Sequence, residues 1–445
     1  MNLLTLSEYE KPVLGVHKEL YKVLDGCSPD LESDTPDKEI ASRLGCSQQS
    51  GGVWAGGWSG VVRYNSIAFA VLPRMVENRT QDLVAMYATC LSDPIVASHM
   101  GEPAVFFWPE QQAIECPDEL KEQGLLFLVM AYLQELHQLC LRHLRNKFVH
   151  VTENLNGRTK GKLDIARQVR TNLSRGRADR TVCDFTIHSN NCRENQILKT
   201  ALERGARVLT RYNLNNIALW SKVRFCRHEL GNVEEVDVTP RLFQGLRYTG
   251  LFRPYRKAHE LAKCILNLLP PDPHSSRNNL SSKVPPFAIC TYELFERYCE
   301  VKLRVQLGAT GGNELWVGYQ NGTPGGNGRL RPDFLICAEG KNSERWIIDA
   351  KNKPNWSGRL GTSEWESDVP QLCRYSRFLP ILKELGYEQD EQSSASPNML
   401  VVYPGNSDGM KNFPTLDEQP GTVIKVSGFS NLWAVAIQVP LTEPK

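Results

Sequence analysis

No stretch of this 445-residue chain approaches the ~18–20 consecutive apolar residues that a membrane span needs. Its greasiest run, Leu125 to Leu133, is broken by Gln134, Glu135 and His137. The opening segment MNLLTLSEYEKP meets Glu8, Glu10 and Lys11 too soon for a secretory signal. A cytoplasmic location without membrane contact is therefore expected. The chain has no CxxC pair, and its 13 cysteines are scattered from Cys27 to Cys373. That argues against a disulfide framework or a structural zinc site and for small buried apolar residues. No internal repeat is found. Also missing is a GxxxxGK[ST] phosphate loop, since GRTKGKL at Gly157–Leu163 has the wrong spacing. No nucleotide is expected to bind this chain itself.

Net charge of one sign is scarce too, at +2 overall. Local charge is not. Residues 141–180 hold eleven Lys/Arg against three Asp/Glu, and residues 193–230 hold eight against three. Two basic blocks in one region point to a phosphate-facing surface, with Arg158, Lys160, Lys162, Arg175 and Arg177 as candidate contacts. The alternative is that the KGKLD loop meets an acidic protein surface. Residues 386–421 are acidic instead.

The Pro-, Ser- and Asn-rich stretch from Pro270 to Pro286 reads as a linker. Four regions follow from it. Residues 1–78 form a small β-rich module with two short helical pieces, and the segment around Trp54, Trp58 and Arg63 is a candidate partner contact. Residues 79–270 are mainly helical and basic, with helices expected over Leu125–Phe148 and Asn195–Tyr212. Residues 271–286 are the linker. Residues 287–445 carry a helix over Pro286–Leu307, strands at Phe334–Cys337 and Trp346–Ile348, and a helix over Asp368–Leu385. Strands at Met399–Tyr403, Val423–Val426 and Leu432–Val439 close the chain. That order predicts an α/β domain, a mixed sheet flanked by helices. The Gly-rich stretch Gly311–Gly328 reads as a hairpin connection around Leu315–Tyr319.

Within that domain, Pro332-Asp333 and Asp349-Ala350-Lys351 stand out by context. Neither pattern is informative alone. Asp333, however, opens one apolar strand, and Asp349 ends the next. A short connection makes the two an antiparallel hairpin, which brings both carboxylates to one sheet edge. Residues i and i+2 share a strand face, so Asp349 and Lys351 point into the same site. Two acids and a lysine suit phosphodiester cleavage with a hard divalent cation, Mg²⁺ or Mn²⁺, held by oxygen. On the preceding helix Glu296 falls at the margin of the apolar arc, where a third metal ligand could stand. Glu293 and Glu300 fall farther toward the polar side. Gln371 and Tyr375, at i and i+4, share one face of the next helix and can lean over the site.

In this order, Glu296, Asp333, Asp349/Lys351 and Gln371/Tyr375 resemble the motifs of the PD-(D/E)xK nuclease superfamily, and QxxxY is similar to its RecB-like branch. KGKLDIARQVR (Lys160–Arg170), CDFTIHSNNCRENQILKTAL (Cys183–Leu202), YELFERY (Tyr292–Tyr298), WIIDAK (Trp346–Lys351), VPQLCRY (Val369–Tyr375) and LVVYP (Leu400–Pro404) resemble the McrC family over roughly residues 60–440. The resemblance implies the nuclease subunit of a McrBC-type, modified-cytosine-directed restriction system. It implies a hexameric McrB-like AAA+ GTPase as partner and double-stranded DNA as substrate, and residues 1 to ~270 are the part expected to dock on that ring. Two other readings stand beside it. One is a RecB-like repair nuclease that needs no GTPase. The other is an AAA+ activator with an inert site, against which the complete D…DxK set argues.

Overall fold

A computed structural model describes residues 3–7, 47–49, 52–54, 57–64, 67–73, 80–99, 105–108, 113–116, 118–142, 144–212, 214, 216–269, 283–309, 315–319, 331–338, 345–353, 356, 361–405, 408–413, 416 and 422–439. The fold is mixed α/β in two compact units. One unit joins Met1–Phe127 to Ser282–Lys445, and the other is Leu128–Ser281. The boundaries expected near 78 and 270 differ from this division, because a strand from far down the chain completes the N-terminal sheet.

That strand is Phe287–Cys290, which lies between Trp58–Tyr64 and Val105–Phe107 in a five-stranded sheet. Its four residues are all buried. The run PPFAIC carries no period that distinguishes strand from helix, so the sequence reading merged it with the helix that follows. The helix in fact spans Thr291–Ala309. Gly60 permits the close pairing: it has φ +145°, and a Cβ there would collide with the Phe287 carbonyl. The end of the expected linker is also paired, Lys283–Val284 with Ile114–Glu115. Trp58 is half-buried against Phe106, ring centroids 5.5 Å apart. The side chains of Trp54 and Arg63 and most of 311–328 lie outside the described residues, and so do residues 8–46, which bear on the two short helical pieces expected within 1–78.

The second sheet of this unit has six strands, in the order Leu315–Tyr319, Phe334–Ala338, Arg345–Ala350, Asn398–Gly405, Leu432–Gln438, Val423–Lys425. The first three are antiparallel neighbours. Arg345–Ala350 then runs parallel to Asn398–Gly405. A parallel step needs a crossover, and the helices Ser363–Tyr375 and Leu379–Glu384 supply it. They replace the single helix expected over 368–385. The first starts at the Thr362 cap, and Pro380 opens the second. Leu335, Ile347, Met399 and Val401 pack beneath Val369, Leu372, Tyr375 and Ile381 in one apolar cluster.

The other unit departs most from the mainly helical expectation. Its helices Arg193–Arg211, Ile217–Glu229 and Tyr255–Leu268 accompany a two-stranded antiparallel ribbon of Lys147–Asn156 and Arg180–Ser189. The helix expected to reach Phe148 runs over Asp118–Arg142. By length and composition its Leu120–Arg142 portion could cross a membrane. It is instead a core helix: Leu128, Met130 and Leu136 are fully buried, and Tyr132 bonds the Leu198 carbonyl at 2.6 Å. The base of the ribbon is clamped by the Asn195 helix start. Asn195 Nδ2 donates to the Arg145 and Asn190 carbonyls at 2.8 and 2.7 Å, and Oδ1 accepts from Tyr255 at 2.8 Å. Glu194 pairs with Arg145 and Lys147. Within KGKLDIARQVR, Lys162–Leu163 adds a short strand and Asp164 caps the helix Ile165–Thr171.

Candidate active site

Asp333 precedes the strand Phe334–Ala338, and Asp349 lies in Arg345–Ala350. The antiparallel register sets Phe334 opposite Ile348, which brings the two acids to the same end of the hairpin. Both are buried, at 8% and 2% exposure. Asp333 Oδ2 accepts the Ala350 N–H at 2.7 Å. Burial pushes the Asp333 carboxyl well above the usual carboxylate range, and the neighbouring Asp349 and Glu296 push it further.

Pairing with the parallel strand continues one residue beyond Ala350, as the Lys351 N–H donates to the Val402 carbonyl at 2.7 Å. Lys351 Nζ stands 2.5 Å from Asp349 Oδ2. The contact is an ion pair without hydrogen-bond alignment, since Asp349 Oδ2 is buried with no directed donor. Burial opposes the lysine's charge, but Asp349, with Asp333 and Asp368 adding to it, holds its pKa above the ordinary value. The site thus sits at the carboxyl end of a parallel strand pair, where open α/β sheets leave their ligand crevices.

Gln371 and Tyr375 extend the site as a relay. Lys351 Nζ donates to Gln371 Oε1 at 2.9 Å, and Gln371 Nε2 donates to the Tyr375 hydroxyl oxygen at 2.6 Å. The Tyr375 O–H donates to the Arg331 carbonyl at 3.0 Å, two residues before Asp333. Burial, helped by the Asp349 charge, pushes the Tyr375 phenol up to about 12, so it remains a donor at neutral pH. A Phe at 375 would leave Gln371 free to turn. On the expectation of phosphodiester cleavage, Tyr375→Phe should slow single-turnover DNA cutting by about 10-fold with DNA affinity unchanged, the usual scale for a group that orients a site residue. A change below about twofold would remove Tyr375 from this role.

Glu296 is half-buried and acts on Asp333 electrostatically. Among the described residues, however, no three His, Cys, Asp or Glu side chains converge closely enough to hold a metal ion. The three-carboxylate set expected from Asp333, Asp349 and Glu296 is thus not assembled in this structure. The helix bearing Glu296 packs against Thr80–Cys90 as well as the sheet. That double packing also corrects Glu300, which was expected toward the polar side. It is fully buried and paired with Arg297 at 3.2 Å and Arg304 at 2.7 Å. The residues present still fit a hard divalent cation. Asp349 offers a buried oxygen without a directed donor, Asp333 is crowded by like charge, and Mg²⁺ characteristically takes one or two carboxylates and fills its shell with water and phosphate.

Sequence reasoning missed Asn352. Its Nδ2 donates to Thr291 Oγ1 at 3.3 Å, and Thr291 in turn bonds the Gly57 carbonyl through both its hydroxyl and its N–H. The residue after Lys351 is thereby tied to the start of the Glu296 helix and to the N-terminal segment. Nothing local in the sequence signals that bond.

The basic candidates lie in the other unit. Arg158, Lys160, Lys162, Arg175 and Arg177 are all exposed. Lys160 Nζ lies over the Phe185 ring at 4.4 Å. Gly161, at φ +70°, lets the loop pass the ribbon where a Cβ would strike the Asp184 carbonyl. Apolar side chains are exposed on the same elements, Ile165 at 69% with Leu163, Val169 and Leu173.

No curated protein matches the chain. Two solved assemblies from Thermococcus gammatolerans are weakly similar. One is a refined half-complex from a tetradecameric assembly of McrB AAA+ hexamers with bound McrC, at 15% identity over 98% of this chain and 94% of that one, with a TM-score of 0.39. The other is the McrBC complex, at 17% identity over 69% of this chain and 88% of that one, with a TM-score of 0.29. Those scores are too low to fix fold or function. The family model described as McrBC 5-methylcytosine restriction system component matches residues 54–383, most of the chain. The chain belongs to the McrBC 5-methylcytosine restriction system component family.

Proposed function

We propose that this chain is the DNA-cleaving subunit of a McrBC-type restriction system directed at modified cytosine, with a PD-(D/E)xK nuclease fold in residues 287–445. The observation that carries the reading is the convergence of Asp333, Asp349 and Lys351 at the end of a parallel strand pair, with Gln371 bonded to the lysine. Asp333 and Asp349 would hold Mg²⁺ or Mn²⁺, with Glu296 biasing the charge of Asp333. When bound, the cation offsets charge on the scissile phosphate and lowers the pKa of water. Lys351 keeps its proton through Asp349 and offers a fixed positive charge to phosphate or attacking water. Gln371 and Tyr375 hold that ammonium in place.

The partner is a McrB-like AAA+ GTPase hexamer, and the site of action is double-stranded DNA in the cytoplasm. Family membership and the lack of a phosphate loop in this sequence support that division of labour. The test is cleavage of a cytosine-methylated plasmid by the full chain with its partner, GTP and Mg²⁺. Cutting that needs all four components supports the reading. Cutting of DNA ends by the chain alone supports the RecB-like alternative.

The exposed apolar residues beside Lys160 and Lys162 favour a protein contact for this surface over phosphate contact alone. We expect changing Lys160, Lys162 and Arg177 together to Ala to reduce GTPase stimulation by about 10-fold or more, the loss that ~1.4 kcal/mol of docking energy represents. If these residues meet phosphate instead, the same variant keeps stimulation. It then flattens the slope of log DNA affinity against log salt by roughly two to three units.

A further inference from the structure

Strand pairing around the site ends at Lys351, whose N–H makes the last bond to the neighbouring strand. The next bond is local, from the Lys353 N–H to the Lys351 carbonyl at 2.7 Å. A single carboxylate grips the segment beyond. Asp368 is 3% exposed and accepts from Lys353 Nζ at 2.8 and 3.0 Å, from Trp356 Nε1 at 3.0 Å and from Ser367 Oγ at 2.8 Å. Trp356 is itself buried in the core under the helix.

Asp368 belongs to the same helical stripe as the relay. Residues 368, 371 and 375 lie at i, i+3 and i+7, on one face. Each engages the active edge: Asp368 holds Lys353, Gln371 holds Lys351, and Tyr375 holds the Arg331 carbonyl. The three contacts fasten the helix Ser363–Tyr375 across both flanks of the acid pair. Lys353 is half-exposed, so the ion pair itself contributes little net stability; the buried Asp368 carboxylate is the end that is costly to leave unpaired, and that cost fixes the geometry of the groups around it.

We infer that Asp368 is a positioning residue of the cleavage site, acting through Lys353 and Trp356 to fix the chain segment from which Lys351 reaches Asp349. The inference rests on the nuclease reading for its effect on cleavage, and on the structure alone for its effect on the segment. Asp368→Asn keeps the volume and removes the charge that Lys353 and Trp356 converge on. Lys353→Met removes the other end of the same contact.

Two measurements test it. The first is hydrogen exchange on the full-length chain without DNA or metal. Asp368→Asn should speed exchange at the Lys351 and Lys353 amides by about 10-fold or more, the signature of local opening, with the strand Asn398–Gly405 unchanged. The second is cleavage by the chain with the partner it requires. Each single variant should lower kcat by roughly 10- to 100-fold at unchanged KM for DNA, because a displaced Lys351 misaligns the reaction without weakening binding. The double variant should fall no further than the worse single one.

Ile381→Ala, in the same apolar cluster, controls for lost stability. It should lower the melting temperature while leaving the exchange at 351–353 and kcat near wild type. Unchanged exchange at 351 and 353 in Asp368→Asn overturns the inference. So does a wild-type kcat, an additive double variant, or an Ile381→Ala variant that reproduces both effects. A wild-type chain that cuts no DNA under any condition defeats the nuclease reading instead, and the exchange result then decides the positioning role by itself.

Discussion

Asp349→Ala is expected to abolish DNA cleavage, by a factor on the order of 10³ or more, while the fold persists. The two halves of that expectation have separate causes. Asp349 Oδ2 is buried without a directed donor, and its one strong contact is the ion pair to Lys351. Lys351 keeps its bond to Gln371 when that pair is lost. Removing the carboxylate also removes a like charge from beside Asp333, whose ionised form it disfavours. The core around it is carried by Ile347, Val401, Leu372 and their neighbours, which the substitution leaves in place. Relief of the like charge beside Asp333 offsets part of the cost of leaving the buried Lys351 without its counter-ion, so the melting temperature should fall without loss of the fold, while the site loses both a cation ligand and the group that keeps Lys351 charged. The assay is plasmid cleavage with the partner and a divalent cation, run beside thermal melting. A folded Asp349→Ala chain that cuts at the normal rate would sink the site assignment. Retained stimulation of the partner's GTPase would separate lost chemistry from lost docking.

The legible part of this site was the part that depends on local geometry. Strand alternation put Asp349 and Lys351 on one face, and they are 2.5 Å apart. Helical spacing put Gln371 and Tyr375 on one face, and they share a hydrogen bond. What the spacing could not give was the partner across the gap: that Gln371 meets Lys351, or that Tyr375 meets a backbone carbonyl just before Asp333. Asp368 lies on the same stripe but carries no signal in the sequence, since one acid near a helix start resembles any other.

Tertiary context hid the rest. Phe287–Cys290 reads equally well as strand or helix, and only its pairing with Trp58–Tyr64 decides it. Glu300 looks polar on a helical wheel because a wheel assumes one buried face, and this helix has more than one. The ribbon escaped for the opposite reason. Lys147–Asn156 is exposed along most of its length, so it lacks the alternation that burying one face imposes. Phe148, 80% exposed, extended an apolar pattern that belonged to the preceding helix.

Asp333→Asn is expected to make the metal-free protein more stable at neutral pH while abolishing cleavage. In the folded chain the Asp333 carboxyl is raised well above its usual range, first by burial and then by Asp349 and Glu296. A raised acid favours folding where it is protonated. Its stabilising contribution is full below the unfolded value, near pH 4, and is lost as pH rises through the folded value. At neutral pH the wild-type chain either keeps a proton there or carries two buried carboxylates side by side. Asn keeps an oxygen for the Ala350 N–H and has no charge to bury. The gain is roughly 1.4 kcal/mol for each pH unit between the folded value and the unfolded one, up to the working pH. Melting curves from pH 4 to 8 should therefore diverge, the wild type losing ground to the variant as pH rises. Ca²⁺ or Mn²⁺ should close the gap from the other side, since a cation that binds the folded state alone raises its melting temperature. It should do so for the wild type and far less for Asp333→Asn. Equal cation stabilisation of both chains would remove Asp333 from the metal-holding pair, and parallel pH curves would mean its carboxyl is not strained by its neighbours at all.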